Sequence, residues 1–294
     1  MKKIFHISAL LSACLVLGIS SCDKVESPYS TVSSSIDTVA YPPPSYTINS
    51  SAPRKVLVED YTGHTCGNCP NGALILHNLV NSNPNILGLS VHCGVTFASP
   101  APPKYPKDWR TEVGTAFDNE FGVSSAGQPN GMINRKEISG SKIHFYNVWA
   151  NEANNILNAD PIADIELKIT AYYVESSRKL ISYVHAGFIE NISPEVKLGL
   201  YIVEDSIVAP QKWYGQSLPQ DYVEAYVHDH MLRKHVSPIW GVSLGSDNSA
   251  GTIKRNQWSI TLPSDYNDNH VKLLAIAFNS NTKEIIQVEE VHIK

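Results

Sequence analysis

Residues 55–71 read KVLVEDYTGHTCGNCPN. Val56-Leu57-Val58 is a continuous apolar run, the pattern of a strand covered on both faces. A short turn follows, and Cys66-Gly67-Asn68-Cys69 opens a helix. Pro70 fits the first helical turn, where its missing N–H leaves no bond unmade. A Cys-x-x-Cys pair between a strand and a helix is the pattern of a thiol–disulfide site. A helix N-terminus presents unpaired N–H groups and the positive end of the macrodipole, which favours thiolate. Cys66 is therefore expected to be the more exposed nucleophile and Cys69 the buried resolving thiol. Asp60, if buried behind them, would take up or relay the proton of Cys69. His64, two residues before Cys66, reads as a polar loop residue placed to help stabilise a thiolate.

Outward from this stretch, the helix continues through Ala73, Leu74, Leu76, Leu79 and Val80 and stops near Asn83-Pro84. Ile86 to His92 is a second apolar strand. Lys107 to Phe121 has helical spacing in Trp109, Val113, Phe117 and Phe121, and leads into Gly122-Val123. SSAGQPNGMINR follows, with Met132-Ile133 as a short strand, and His144 to Leu157 reads as a closing helix.

This order of elements resembles the thioredoxin fold over roughly residues 53–158. Three positions carry the resemblance: Cys66-Gly67-Asn68-Cys69 matches the redox motif, Asp60 matches the buried acid behind it, and Phe121-Gly122-Val123 followed by Gln128-Pro129 matches the run before a cis-proline loop. The resemblance implies that Pro129 faces the disulfide and that a cis Gln128–Pro129 bond turns the Gln128 backbone toward an extended substrate strand. Two departures leave the redox potential open. Thr65 stands where thioredoxins carry an aromatic residue, and Gly67-Asn68 replaces the familiar Gly-Pro. An insertion, Cys93 to Lys107, is expected near the site.

The N-terminus reads as a secretory signal, with Lys2 and Lys3 ahead of an apolar core from Ile4 to Ile19. Ile19-Ser20-Ser21-Cys22 resembles a bacterial lipoprotein cleavage box, with Cys22 lipidated and residues 1–21 removed. The rival box ending at Cys14 would leave an apolar new N-terminus, and an ordinary signal peptide with a soluble product is the plainer alternative. Residues 22–53, rich in Ser, Thr, Pro and Tyr, look like a tether holding the folded part away from lipid. Export means an oxidising compartment, where a disulfide persists.

From Ile162 the pattern turns to alternation. Strands over IADIELKITAYYVE, KLISYVHAGFIE, VKLGLYIVED, TIKRNQWSITL, HVKLLAIAFN and EIIQVEEVHI read as an antiparallel β-sandwich of about six to eight strands. The expected organisation is thus an α/β thioredoxin-like domain over residues 54–159 and an all-β sandwich over residues 160–294. DYTGHTCGNCPNG, Ser90-Val91-His92, Pro129-Asn130-Gly131 with Asn134-Arg135, and His228-Asp229-His230 through Arg233 together resemble a family of Bacteroidetes outer-membrane lipoproteins that join such domains. That resemblance implies architecture and an outer-membrane location more than a mechanism.

Competing readings attach to several residues. Cys66, Cys69 and Cys93 with His64 or His92 would make a zinc set, although only two of the cysteines have ligand spacing. Cys93 alone reads as a core cysteine. His228 and His230 on one strand would share a face and offer a metal pair, against a polar loop cluster. Trp213, Tyr214, Tyr222, Tyr226 and Trp240 would line a groove or simply pack. The leading reading requires no metal and no cofactor. A formal charge of −5 without a basic block gives no reason to expect a nucleic-acid partner. No stretch after residue 22 reaches membrane-spanning length.

Two functions fit these residues. One is thiol–disulfide exchange on envelope proteins or peptides that carry thiols or disulfides, by a protein tied to the membrane through its lipid. The other is a surface binding or adhesion lipoprotein in which the Cys66–Cys69 disulfide is only structural.

Overall fold

The computed structural model describes residues 37–215 and 221–294. The signal peptide, Cys14, Cys22 and the first part of the expected tether lie outside the described residues.

Strands β1 (Val56–Thr62) and β2 (Ile86–His92) run parallel and are buried along their whole length. Each has two covered faces, which is why the sequence shows runs rather than alternation. Val56, Val58 and Ile86 pack with Leu76 and Leu79 of α1 (Cys69–Ser82). Leu57, Tyr61, Leu87, Leu89 and Val91 point the other way, toward Val113 and Phe117 of α2 (Glu112–Phe121).

α2 starts later than its apolar spacing predicts, because Thr111 caps it. The Thr111 hydroxyl accepts from the Gly114 N–H at 2.9 Å, the usual device for an unpaired first-turn donor. Gly122 ends α2 at φ 70°, a left-handed conformation that a residue without a Cβ adopts freely. The short helix α3 (Val123–Ala126) follows. β3 (Asn130–Ile133) returns antiparallel to β1, and β4 (His144–Phe145) pairs with β3. A single 3-10 turn over Tyr146–Val148 precedes α4 (Trp149–Ala159), so the closing helix also begins later than its sequence pattern.

The remaining strands are β5 (Ile165–Val174), β6 (Lys179–Phe188), β7 (Val196–Glu204), β8 (Ile207–Lys212), β9 (Tyr222–His228), β10 (Met231–His235), β11 (Val242–Ser243), β12 (Ile253–Thr261), β13 (Val271–Asn279) and β14 (Ile285–His292). β5–β6 and β13–β14 are the expected hairpins. Among the described residues the main sheet has nine strands, in the order β14-β13-β7-β10-β2-β1-β3-β4 with β11 beside β7. This sheet runs across the boundary near residue 160. The join is β10 against β2, with Met231 opposite Ser90 and the Ser90 N–H donating to the His230 carbonyl at 2.7 Å.

The sandwich is formed where the three-stranded sheet β12-β6-β5 packs on part of this main sheet. Ile165, Leu167, Val184 and Phe188 meet Leu198, Leu200, Leu273 and Ala275 in one core. Alternation decides the division: Tyr201, Val203, Leu274 and Ile276 lie on the opposite face of β7 and β13 and join the core of α2.

The second half of the expected tether does not stand free. Tyr46 stacks on His185 with centroids 4.7 Å apart, its hydroxyl donates to Glu166 at 2.8 Å, and the Tyr183 hydroxyl donates to the Tyr41 carbonyl at 2.8 Å. Its aromatic rings find partners on the β5–β6 sheet, and that burial offsets the entropy of ordering a Pro-rich stretch.

Candidate functional site

The parallel strands β1 and β2 change character along one face. Val56, Val58, Ile86 and Gly88 occupy its first half, and Asp60, Thr62, Ser90 and His92 its second. All four polar residues are nearly or fully buried. A strand pair that turns polar at its carboxyl end, beside the start of the next helix, builds a floor for chemistry.

Cys66 and Cys69 are joined in a disulfide at that end. The N-terminus of α1 has no side-chain cap and no acidic residue in its first turn. The Cys69 N–H donates to the Cys66 carbonyl at 3.3 Å and the Asn71 N–H to the Asn68 carbonyl at 3.1 Å, so it is the positive end of the helix dipole that faces the cysteines. Gly72, one turn in, is flanked on both sides: a Cβ there would lie 3.2 Å from Pro129 Cβ and 3.7 Å from Asp60 Oδ1. Asp60 and Pro129 are thus brought against the first turn of the same helix, and the Gln128–Pro129 bond is cis.

The Asp60 carboxyl is fully buried, and neither oxygen finds a hydrogen-bond partner among the described residues. Burial alone pushes it up to about 8, so at neutral pH it carries a proton. It lines a cavity of about 300 Å³ together with Cys69, Ser90, His92, Trp213, Tyr226 and His228. His92 and His228 face each other with centroids 5.6 Å apart. Burial lowers both, His228 to about 4, so both rings are neutral hydrogen-bonding groups at neutral pH. Both His92 nitrogens and His228 Nε2 lack partners among the described residues.

Several expectations are corrected here. Cys66 is not an exposed nucleophile beside a buried partner: it is 2% exposed and Cys69 1%, so both are buried. The reason is a covering ribbon from far along the chain. Gln211 Nε2 donates to the carbonyls of Gly63 and Cys66 at 3.3 and 3.0 Å. The Lys212 N–H donates to the His64 carbonyl at 2.9 Å and the Tyr214 N–H to the Gly67 carbonyl at 2.8 Å. The Tyr214 ring lies directly on Gly67, where a Cβ would come within 2.4 Å of it.

His64 is buried rather than an open loop residue, beneath the insertion after β2. Its Nε2 lies 3.1 Å from the Ser99 carbonyl, and burial lowers its pKa. At neutral pH it offers a hydrogen bond, not a charge, to its surroundings. Gln128 turns its side chain inward and donates to the carbonyls of Thr62 at 3.1 Å and Cys93 at 3.3 Å. The insertion lies over the turn before the cysteines, where the Thr65 N–H and hydroxyl both donate to the Phe97 carbonyl at 3.1 and 2.9 Å.

Disulfide-bonded sulfurs are not thiolate ligands, and among the described residues no group of three His, Cys, Asp or Glu is placed to hold an ion. His228 and His230 do not share a strand face. His228 ends β9 and His230 sits in the following turn at φ 58° with its ring against Gly88, although both line the cavity. Cys93 is buried near Asp118 and Gln128, and burial pushes its thiol pKa up, as suits a core cysteine. Of the five aromatic candidates, Trp213 and Tyr226 wall the cavity, while Trp240 packs on Phe117 at 5.1 Å.

Sequence reasoning missed Gln211 altogether and counted Tyr214 only among the aromatics that would line a groove or simply pack, not as a cover on Gly67. It also missed that His92 and His228 share a cavity with Asp60. His92 had a legible signal, a polar residue two places after Ser90 in a fully buried strand. Gln211 had none.

A family model described as outer membrane protein Omp28 matches residues 114–294. No curated protein matches the chain. Among solved structures, HBP35 of Porphyromonas gingivalis is similar over 83% of this chain and 76% of its own, with a TM-score of 0.63 and 16% identity, a likeness of fold. A domain of the outer membrane lipoprotein Omp28 from Porphyromonas gingivalis aligns over 46% of this chain and 91% of its own, at 20% identity and a TM-score of 0.31.

Proposed function

We propose, for a chain that belongs to the outer membrane protein Omp28 family, that Cys66 and Cys69 form a thiol–disulfide exchange centre acting on envelope polypeptides. The outer-membrane location follows from the family. The finer points are our reading: a lipid on Cys22 as the anchor, and a thioredoxin-like frame for residues 54–159. The frame is supported by the order β2-β1-β3-β4, with β2 parallel and β3 antiparallel to β1, and by α1 leading directly from the cysteines.

The observation that carries the exchange reading is Asp60. A fully buried carboxyl with no hydrogen-bond partner among the described residues costs stability. In the cavity that Cys69 also lines, and protonated near neutral pH, it is a proton source and sink for the resolving sulfur.

In the oxidising direction a substrate thiolate attacks Cys66 Sγ. The Cys66–Cys69 bond breaks, and its electron pair stays on Cys69 Sγ, which takes the Asp60 proton. A second substrate thiolate then attacks the substrate sulfur of the mixed disulfide. Cys66 leaves as thiolate, and the substrate departs oxidised by two electrons. The reverse sequence reduces a substrate disulfide, with Asp60 accepting the Cys69 proton. His92 and His228, in the same cavity, offer neutral imidazoles through which that proton reaches solvent.

The test is a Cys69→Ser variant, incubated with reduced unfolded ribonuclease A under mild oxidation, together with the reduction potential of the wild-type pair. A trapped Cys66 adduct and a potential above that of structural disulfides support exchange. No adduct and a strongly reducing potential refute it. One observation favours the second reading, a binding lipoprotein with a structural disulfide: both sulfurs are covered. The same two measurements separate the readings.

A further inference from the structure

The cover over the cysteines is unlike the rest of the fold. Among the described residues β8 and β9 pair only with each other and belong to neither larger sheet. A two-stranded ribbon standing alone is marginally stable in water. The outward side of this one is open, with Val208 and its cross-strand partner Val227 both exposed.

What the ribbon does bind is the redox motif. Two backbone N–H groups, those of Lys212 and Tyr214, donate to the carbonyls of His64 and Gly67. Gln211 adds the Gly63 and Cys66 carbonyls, and Trp213 Nε1 reaches Asn71 Oδ1 at 3.3 Å. Main-chain donors spaced two residues apart, with side chains seated between them, are how an added extended strand is recognised. The carbonyls of residues 64 and 67 carry no side-chain information, so any extended segment with N–H groups at that spacing satisfies them.

We propose that Gln211–Tyr214 occupies the docking strip of an extended, cysteine-bearing polypeptide, and that substrate displaces the β8–β9 ribbon to reach Cys66. This rests on the exchange reading and adds to it a substrate class and a restraint. The site takes a polypeptide segment in strand form rather than a small thiol, and it stays closed until such a segment competes for the same carbonyls. Closure also shields the pair from adventitious thiols.

Two opened variants test this. Gln211→Ala with Tyr214→Pro removes the Gln211 side-chain donors and the Tyr214 N–H. Gly67→Ala drives a methyl group into the Tyr214 ring and leaves the ribbon's own sequence intact. Reduction of the Cys66–Cys69 bond is followed with dithiothreitol and with reduced unfolded ribonuclease A, and amide exchange is followed at Lys212 and Tyr214. Both variants are expected to lose protection at the ribbon amides that remain and to react faster with both thiols. The gain with the polypeptide is expected to be about tenfold or more, the larger of the two, since each lost hydrogen bond is worth several-fold in the open population.

Unchanged rates with both thiols overturn the restraint. An equal gain with both overturns the polypeptide strip. Trapping of polypeptide by Cys69→Ser equally in closed and opened backgrounds leaves exchange standing and refutes the ribbon's role. Faster dithiothreitol reduction with no polypeptide trapped in either background refutes the exchange reading itself.

Discussion

Asp60 gives the sharpest test of the site, because its cost to stability has a sign and a size. Its carboxyl titrates near 8 in the fold against 3.8 as an ordinary side chain, and burial is the whole cause. A raised acid pKa means that the folded chain holds a proton which the unfolded chain has released. Stability from this group is therefore greatest below about pH 4 and falls as pH rises toward 8. Each pH unit in that window is worth about 1.4 kcal/mol, so the group removes about 4 kcal/mol between pH 5 and pH 8. Asp60→Asn keeps the size and abolishes the titration. His92 and His228, whose lowered pKa values act with the opposite sign below about pH 6.5, are common to both proteins and cancel in the difference. Urea unfolding of both proteins at the two pH values reads the result. The wild type is expected to lose about 4 kcal/mol more than the variant as pH rises, and the variant to be the more stable protein at pH 8. Equal losses in the two proteins would mean that Asp60 ionises normally within the fold, and the argument for it as a proton store would go with them.

Further predictions concern the frame around the site. Arg135 and Glu59 form a bidentate pair at 2.7 and 2.9 Å with both side chains wholly buried, and the guanidinium also stacks on Phe117 at 4.4 Å. Arg135→Met should cost about 3–5 kcal/mol by leaving Glu59 buried and unpaired, whereas Glu59→Gln with Arg135→Met should be much milder; chemical denaturation decides. Gly131→Ala would place a Cβ 2.1 Å from the Glu59 carbonyl and 2.6 Å from the Trp149 ring, so a loss of about 3 kcal/mol or more is expected as a fall in Tm. Cys93 should resist iodoacetamide in the native protein and react only once urea unfolds it; rapid native modification would show that the thiol is not buried as described.

The sequence of residues 55–92 was enough to place two buried strands, the helix between them and the cysteines at its start. Those features come from local rules: continuous apolar runs, proline at a first helical turn and residues two apart on one strand face. The place of Asp60 behind the cysteines came instead from the resemblance to the thioredoxin fold, while the hairpins β5–β6 and β13–β14 followed from alternation broken by short polar turns. The spacing of residues along one element is fixed by the chain itself, so it is legible without a fold.

Which segment lies over the cysteines is not legible in that way. Gln211 reaches the Cys66 carbonyl across 145 residues of chain. Its partners are backbone carbonyls, which look alike at every position. The same holds for His228 entering the Asp60 cavity, and for β10 joining β2 into one sheet across residue 160. The quoted stretch determined that there would be a Cys-x-x-Cys pair on a helix start with an acid behind it. Only the tertiary structure decided that the pair would be closed, and that the acid would share its cavity with two neutral histidines. Those outcomes depend on packing between distant segments, and packing leaves no periodic mark on a sequence.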